Sequence, residues 1–589
     1  MTRRWTAAAC AALIAAGILG VFCRGFGFEF LRGWDDGAYV FANAHLAWNR
    51  ENLLYWWREP VEGLYTPLTM VSLMLDALIW GTDSPFGFRL TNALLHLATA
   101  WLFFSIGRKE KIPAWFLCGI VLLWACQIQR LESVVWIAER KDVLGGALTL
   151  AAWRCMLDDD RKRGAVLAGL CGVLAVFAKP SMAGAAVLIA VVGFLRRERG
   201  EAVWKTVLRT GIPACLTTLA MLPAWFIASG DMPPQYGFAR TLLVVTHNLC
   251  WYCAGAVWPL ETSPVYPCVS GLAGGLLLWT AAIAAFTLVC GRNVYGSLGR
   301  WFRKYGPWML VWGAFFAPSC GWRVFSNTDY ADRYNYIPAL IFWYCMARMA
   351  RDAAARNRVL LRRQTCAAWV LAAVSAAWTC VWMPQIWRNT ESLFTVALTV
   401  HEYPNPRAAE GLGRYGLESP NSYAQEAASK AFAKLAATAA ANPLPPELKP
   451  VGLWRGMASL YGGLASYRAG KYAEAADRWR ELAAADCLPV YYPELYAPIL
   501  YGSHADACLR IGRTAEAKTA LAKQLKVLEA DCAAAYRAKG LLALLSGDER
   551  EALRCFEAGL QKSPGDDWFR TRADFLRRKR QSPGQGRQE

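Results

Sequence analysis

Asp35 and Asp36 stand side by side in FLRGWDDGAYVFAN, residues 30–43, directly after an apolar N-terminal run. A carboxylate held against a hydroxyl can orient it or take its proton, so either member of the pair is a candidate general base. Two further stretches combine charge with aromatic rings. QRLESVVWIAERKD, 129–142, carries Glu132, Arg140, Lys141 and Asp142, and NTDYADRYNYIP, 327–338, carries Arg333, Tyr334 and Tyr336. Arg and Lys grip phosphate oxygens. Tyr can stack on a sugar or line an apolar groove, although Arg and Tyr are also ordinary anchors at a membrane boundary. Glu132 and Asp142 can complete a polar network or share a divalent cation with Asp36, and no spacing decides metal use.

The elements that must position these residues are apolar. Of 589 residues 55% are hydrophobic, 28 are Trp and only 19% are charged, a balance that fits many membrane spans rather than a soluble domain. The net charge of +19 sits in short clusters between apolar runs, not on one continuous basic face, which argues against nucleic acid as a partner. Runs of near-spanning length follow the first one at about 88–107, 112–127, 143–157, 164–179, 181–195, 206–228, 268–290, 307–322, 336–350 and 365–384. Alternation places Arg3–Arg4, Arg108–Lys111, Arg161–Arg163, Arg196–Arg199, Arg300–Lys304 and Arg351–Arg363 on one side, the side that the positive-inside rule makes cytoplasmic. The expectation is about 11 spans in a cytoplasmic membrane, with the N-terminus inside. The three charged stretches and everything after the last span then lie outside. LYTPLTMVSLMLDALIW, in the first outer loop, reads as a helix lying in the interface.

Most of the 19 cysteines fall in apolar runs, where Cys behaves as a small hydrophobe; only Cys487, Cys508, Cys532 and Cys555 lie in the tail, and no Cys/His group has zinc-site spacing. The tail is Ala-rich and repeats. Gly470, Gly512 and Gly547 are each followed five residues later by Ala475, Ala517 or Ala552, and four further on by Trp479, Leu521 or Phe556. This is the tetratricopeptide (TPR) pattern, in which small residues let paired helices approach and a large one fills the gap to the next. Such arrays usually bind peptide or protein on a concave face. One or two degenerate units are expected within 391–445. The division is 1–388 for the membrane domain, 389–570 for an extracytoplasmic TPR α-solenoid, and 571–589 for a basic disordered tail. The fold class is all-α: a polytopic transmembrane helical bundle followed by a soluble solenoid.

In this order WDDGAYV, YTPLTMVSLMLDALIWG, PFGFRLTNALLH, ESVVWIAERKDVL, AKPSM and ADRYNYIP resemble the transmembrane-and-TPR (TMTC-type) protein O-mannosyltransferases and their bacterial relatives, a branch of the GT-C glycosyltransferases. The resemblance covers most of the chain. It implies inverting transfer of a sugar from a polyprenyl-phosphate donor to an acceptor hydroxyl of protein Ser/Thr. It further implies Asp35 as the base with Asp36 orienting, and Arg140, Lys141, Arg333, Tyr334 and Tyr336 on the donor side. The TPR tail would recruit the polypeptide acceptor, and membrane lipid surrounds the rest. One departure is that Gln127-Ile128 stand where such relatives commonly have His-Pro. A different class of reading is a catalytically silent membrane scaffold that uses only its TPR face; a glycan or lipid acceptor is a third.

Overall fold

The computed structural model describes residues 3–198, 200–227, 237–259, 262–266, 269, 272–322, 329–355, 357–400, 405–418, 423–441, 451–485 and 487–581. Among these the chain is helical throughout, with one isolated bridge between Val61 and Leu64. It divides into two units, Met1–Val400 and His401–Glu589. The border lies beyond the expected residue 388 because helix Thr390–Thr399 buries Leu393 and Phe394 and follows helix Arg358–Trp387 through an Asn389 capping box.

Each expected apolar run in the first unit falls on a helix. Among the described residues, five stretches have the length and composition to cross a membrane: Trp5–Gly27, Phe86–Lys109, Val203–Ile227, Gly274–Tyr295 and Arg358–Trp387. Pro67–Trp80, Ala114–Ala125 and Pro180–Leu195 are apolar but shorter than the ~20 residues of a straight span, so the expected count of about 11 is not reached by this measure. Basic residues close the end of Phe86–Lys109, where they complement the negative helix terminus. Close crossings rest on small residues: a Cβ on Gly172 would stand 2.4 Å from the Thr217 hydroxyl, so that pair of helices admits nothing larger there. Helix Pro67–Trp80 buries Met70, Leu73 and Met74 and exposes Leu78, Ile79 and Trp80, the two-faced pattern expected of an interfacial helix.

The second unit is built of antiparallel helix pairs. Val451–Arg468 precedes Tyr472–Ala484, Pro493–Arg510 precedes Thr514–Val527, and Ala533–Leu545 precedes Glu549–Lys562. Gly470, Gly512 and Gly547 make the turns at φ of 76°, 76° and 81°, a left-handed conformation that costs other residues. Ala475, Ala517 and Ala552 are fully buried, and the large residue that follows packs on the preceding helix: Trp479 Nε1 donates to the Leu460 carbonyl at 3.1 Å. Helices Pro406–Glu418 and Tyr423–Ala441 supply the helix pair expected before residue 445. The expected disordered tail is corrected, because Asp567–Gln581 is a helix whose Phe569, Ala573 and Leu576 cover Leu553 and Phe556. A solenoid needs such a closing element over its last apolar face. Residues 582–589 and His401, for which the sequence suggested no partner, lie outside the described residues.

Candidate functional site

The two adjacent carboxylates have opposite surroundings. Asp36 is fully buried. Its Oδ2 accepts the Leu31 N–H at 2.9 Å and its Oδ1 accepts the Ala138 N–H at 3.4 Å, which ties the first loop to the 129–142 segment. Burial pushes its pKa up to about 6, against the pull of those N–H groups and of Arg89. Arg89 in turn donates to the carbonyls of Phe28, Glu29 and Val135, clamping the same two segments. Asp35 is half-buried, and its carbonyl accepts the Tyr39 N–H at 3.0 Å as the chain enters the single helical turn Gly37–Phe41. Its charge is felt by Lys141 and Tyr39. Trp34, one residue earlier, packs against Trp136 at 4.4 Å and Phe394 at 5.5 Å, which fixes the loop in place.

Four short elements bring charges together beside this loop. Helix Arg130–Val135 carries Glu132 and Ser133, and the turn Ile137–Glu139 carries Glu139. The start of helix Arg140–Met156 carries Lys141 and Asp142, and the turn Asp332–Asn335 carries Arg333 and Tyr334. Lys179 joins them from the end of helix Arg161–Ala178. Glu139 is the centre. Lys141 Nζ lies 3.0 Å from its Oε1, Lys179 Nζ 3.3 Å from its Oε2 and Arg333 Nε 3.3 Å from its Oε1. Burial alone would raise the pKa of Glu139, but the three cations hold it well below the usual carboxylate range. Arg333 also donates its backbone N–H to Glu132 at 2.8 Å and pairs with the same carboxylate through its guanidinium. Asp142 takes Lys179 at 2.6 Å and the Ser133 hydroxyl at 3.2 Å. The Tyr334 ring lies beneath Arg333 at 4.7 Å and Lys179 at 5.6 Å. Lys141, Lys179 and Arg333 are matched by the carboxylates of Glu139, Glu132 and Asp142, so a phosphate bound here would take cations from these pairings.

Asp35, Lys141, Arg333 and Tyr334 thus share one region, supported by Glu132 and Asp142. Two expected donor residues lie apart from this cluster. Arg140 points away into a closed network: its guanidinium pairs with Asp76 at 2.5 Å, bonds Ser72 at 2.8 Å and the Phe88 carbonyl at 2.8 Å, and also bonds Asn92. Its donors are satisfied by protein. Tyr336 is buried, its hydroxyl 2.7 Å from His96 Nδ1 and its ring against Trp124, so it packs the core rather than a sugar. His96 is fully buried in its helix as a packing residue, as expected. A cation shared by Asp36, Glu132 and Asp142 does not fit either, since Asp36 is spent on Leu31 and Ala138 while Glu132 is spent on Arg333.

Glu139 and Lys179 were not singled out, although both lie inside stretches that carry the family resemblance; neither gave a spacing signal, because their meeting is tertiary. Asp332 was missed for the same reason. It is buried, accepts Gln129 Nε2 at 3.2 Å and the Tyr266 hydroxyl at 3.1 Å, and burial with nearby Glu132 pushes its pKa up to about 8. The folded chain therefore keeps a proton that the unfolded chain releases near the ordinary Asp value, and stability falls as pH rises from about 4 to about 8 through this group. Asp332→Asn should flatten that fall in the thermal midpoint; an unchanged pH profile would mean that Asp332 is ionised in the folded chain. Gln127, at the family departure, donates Nε2 to the Gly255 carbonyl at 3.1 Å and so ties the turn after helix Ala114–Ala125 to helix Phe238–Val257.

No protein-family model matches the chain. Among curated proteins it is similar to Protein O-mannosyl-transferase Tmtc2 of Drosophila melanogaster, 29% identical over 119 residues. That stretch is 19% of this chain and spans only 13% of the length of that relative. Among solved structures it is similar to the crystal structure of ArnT from Cupriavidus metallidurans bound to undecaprenyl phosphate, at 16% identity and a TM-score of 0.37 over 82% of this chain and 81% of that one. A second likeness is to the P58(IPK) TPR domain, at 13% identity and a TM-score of 0.23 over 74% of this chain and 99% of that one.

Proposed function

We propose that the chain is an integral membrane glycosyltransferase of the GT-C type. It moves a sugar from a polyprenyl-phosphate donor to a hydroxyl of a polypeptide acceptor on the extracytoplasmic side. The observation that carries this reading is the convergence of Lys141, Lys179 and Arg333 on Glu139 beside the half-buried Asp35. The local likeness to a protein O-mannosyl-transferase supports sugar transfer to a protein acceptor.

The chemistry needs few groups. Asp35 takes the proton of the acceptor hydroxyl as its oxygen attacks the anomeric carbon. The bond from that carbon to the phosphate oxygen breaks, and the electron pair leaves with the phosphate. Lys141, Lys179 and Arg333 hold the charge that develops there. A phosphate is already a good leaving group, so no general acid is required, and one base opposite it gives inversion. Asp36, bound to both loop segments, fixes the backbone that aims Asp35. Glu139 keeps three cations together before the donor arrives, and Tyr334 supports two of them from below.

The scaffold reading rests on Gln127-Ile128. Gln127 donates to the carbonyls of Gly255 and Ala256, and the proposed chemistry assigns it no role. The test is transfer of sugar from a polyprenyl-phosphate donor by the purified full chain in lipid. A scaffold would give none.

Two expectations follow on sidedness and recruitment. Arg32 is exposed in the Asp35 loop, and a membrane-impermeant thiol reagent should label Arg32→Cys in intact cells; labelling only after lysis would reverse the topology. The TPR unit, if it recruits acceptor, acts by raising local concentration. Truncation after Val400 should then weaken use of a long polypeptide by about tenfold or more while a short peptide acceptor is used as before. Equal loss with both acceptors would make the TPR unit a structural part of the enzyme.

A further inference from the structure

The second unit holds a cluster that plays no part in the proposed transfer. His504 and Cys508 lie four residues apart on one face of helix Pro493–Arg510, and Glu516 lies in the first turn of the next helix, Thr514–Val527. His504 Nε2 is 3.9 Å from Glu516 Oε2, and Cys508 Sγ is 3.9 Å from the same oxygen. One donor atom from each of the three lies within 4.8 Å of the others. His504 is only 4% exposed, and neither of its ring nitrogens has a hydrogen-bond partner among the described residues. A buried imidazole with both nitrogens unused is costly, since each forfeits the bond it made to water. Cys508 is fully buried and forms no disulfide.

The repeat itself does not ask for these residues. Aligned on the turn glycine, the His504 position is Gly462 in the first repeat and Lys539 in the third, and the Cys508 position is Ser466 and Ala543. The Glu516 position is glutamate in all three, as Glu474 and Glu551. The middle repeat alone places an imidazole at this position beside the carboxylate that the array already has; the third repeat also sets a sulfur, Cys555 Sγ, 3.5 Å from its Glu551.

We propose that His504, Cys508 and Glu516 bind a divalent transition-metal ion of the zinc class, with a fourth position left to water. Imidazole, thiolate and carboxylate are the three donor types that zinc takes from proteins, at about 2.0–2.3 Å. A point equidistant from three atoms spaced as these are lies within about half an ångström of such bonds, so side-chain rotation closes the site. On binding, the Cys508 thiol gives its proton to solvent and the sulfur takes the metal. Arg480, whose Nε lies 3.4 Å from Glu516 Oε2, gives up that carboxylate and keeps Asp477 through its Nη2 at 2.8 Å. The ion joins the two helices of one repeat across the Gly512 turn.

The test uses the full chain in detergent, stripped with a chelator and titrated with Co2+ as the probe. One equivalent should produce thiolate-to-cobalt absorption and the visible bands of a tetrahedral ion, and Zn2+ should displace both. Cys508→Ser should abolish the thiolate band; serine occupies this position in the first repeat, so the fold tolerates it. His504→Ala should weaken binding at least about a hundredfold, because losing a direct ligand exceeds the 10–100-fold cost of losing an outer partner. The proposal is overturned if no thiolate band appears at one equivalent, or if the band survives Cys508→Ser, with Cys555→Ser showing whether the neighbouring repeat supplies it.

Discussion

Asp35→Asn should lower sugar transfer by about 10²–10⁴-fold, the usual contribution of a general base. Asparagine is nearly the same size, and Asp35 is half-buried rather than locked into the core, so insertion and folding should hardly change. The Asp35 backbone carbonyl accepts from Tyr39, and that bond survives the substitution. What disappears is the negative charge that aligns the acceptor hydroxyl and takes its proton. Donor affinity should be kept within a few fold, since the cations on Glu139 are untouched. Arg333→Ala should differ, weakening donor binding as well as turnover, because a phosphate contact exists before and during reaction. Asp36→Asn should differ again. Its two oxygens each accept a backbone N–H, and an amide can accept only one of them without turning an N–H toward Leu31 or Ala138. Its loss should therefore show as a destabilised loop, by about 1–3 kcal/mol, and not as a clean loss of chemistry.

The second large effect belongs to Arg140. Arg140→Ala should destabilise the membrane unit by about 3–5 kcal/mol, the cost of breaking a buried ion pair from one side. The guanidinium is fully buried, and its removal strands Asp76 together with the Phe88 carbonyl. The measurement is the thermal midpoint and yield of the purified chain in detergent. Adding Asp76→Asn to Arg140→Ala should recover part of the loss, since the uncompensated charge is then gone. A variant as stable as the parent that binds donor poorly would instead return Arg140 to the phosphate site.

These contrasts mark what could be read from the residues. Helix positions and the TPR repeat were legible because periodicity and turn glycines are local: Gly470, Gly512 and Gly547 each sit in the left-handed turn their spacing implies. The loop that presents Asp35 and the stretches that carry Lys141, Arg333 and Tyr334 were legible as motifs. Arg140 and Lys141 were not separable, because adjacent residues at a helix start point in different directions and only the packing of Asp76 and Asn92 says which one is enclosed. Glu139 and Lys179 meet from segments forty residues apart, a contact that no local pattern announces. The border at Val400 and the final helix to Gln581 were missed for a related reason. Each depends on which apolar face a neighbouring helix needs covered, as Phe569 and Leu576 cover Phe556. His504 and Cys508 lack zinc-finger spacing because their third donor comes from across a turn.

The most direct measurement is release of polyprenyl phosphate from a polyprenyl-phosphate sugar by the purified chain in lipid vesicles, with a hydroxyl-bearing peptide present. Parent and Asp35→Asn proteins of equal insertion are compared. The account predicts release by the parent matched by sugar on the peptide, and release by Asp35→Asn slower by about 10²–10⁴-fold. No release by well-inserted parent protein above protein-free vesicles, or equal release by both proteins, would contradict it.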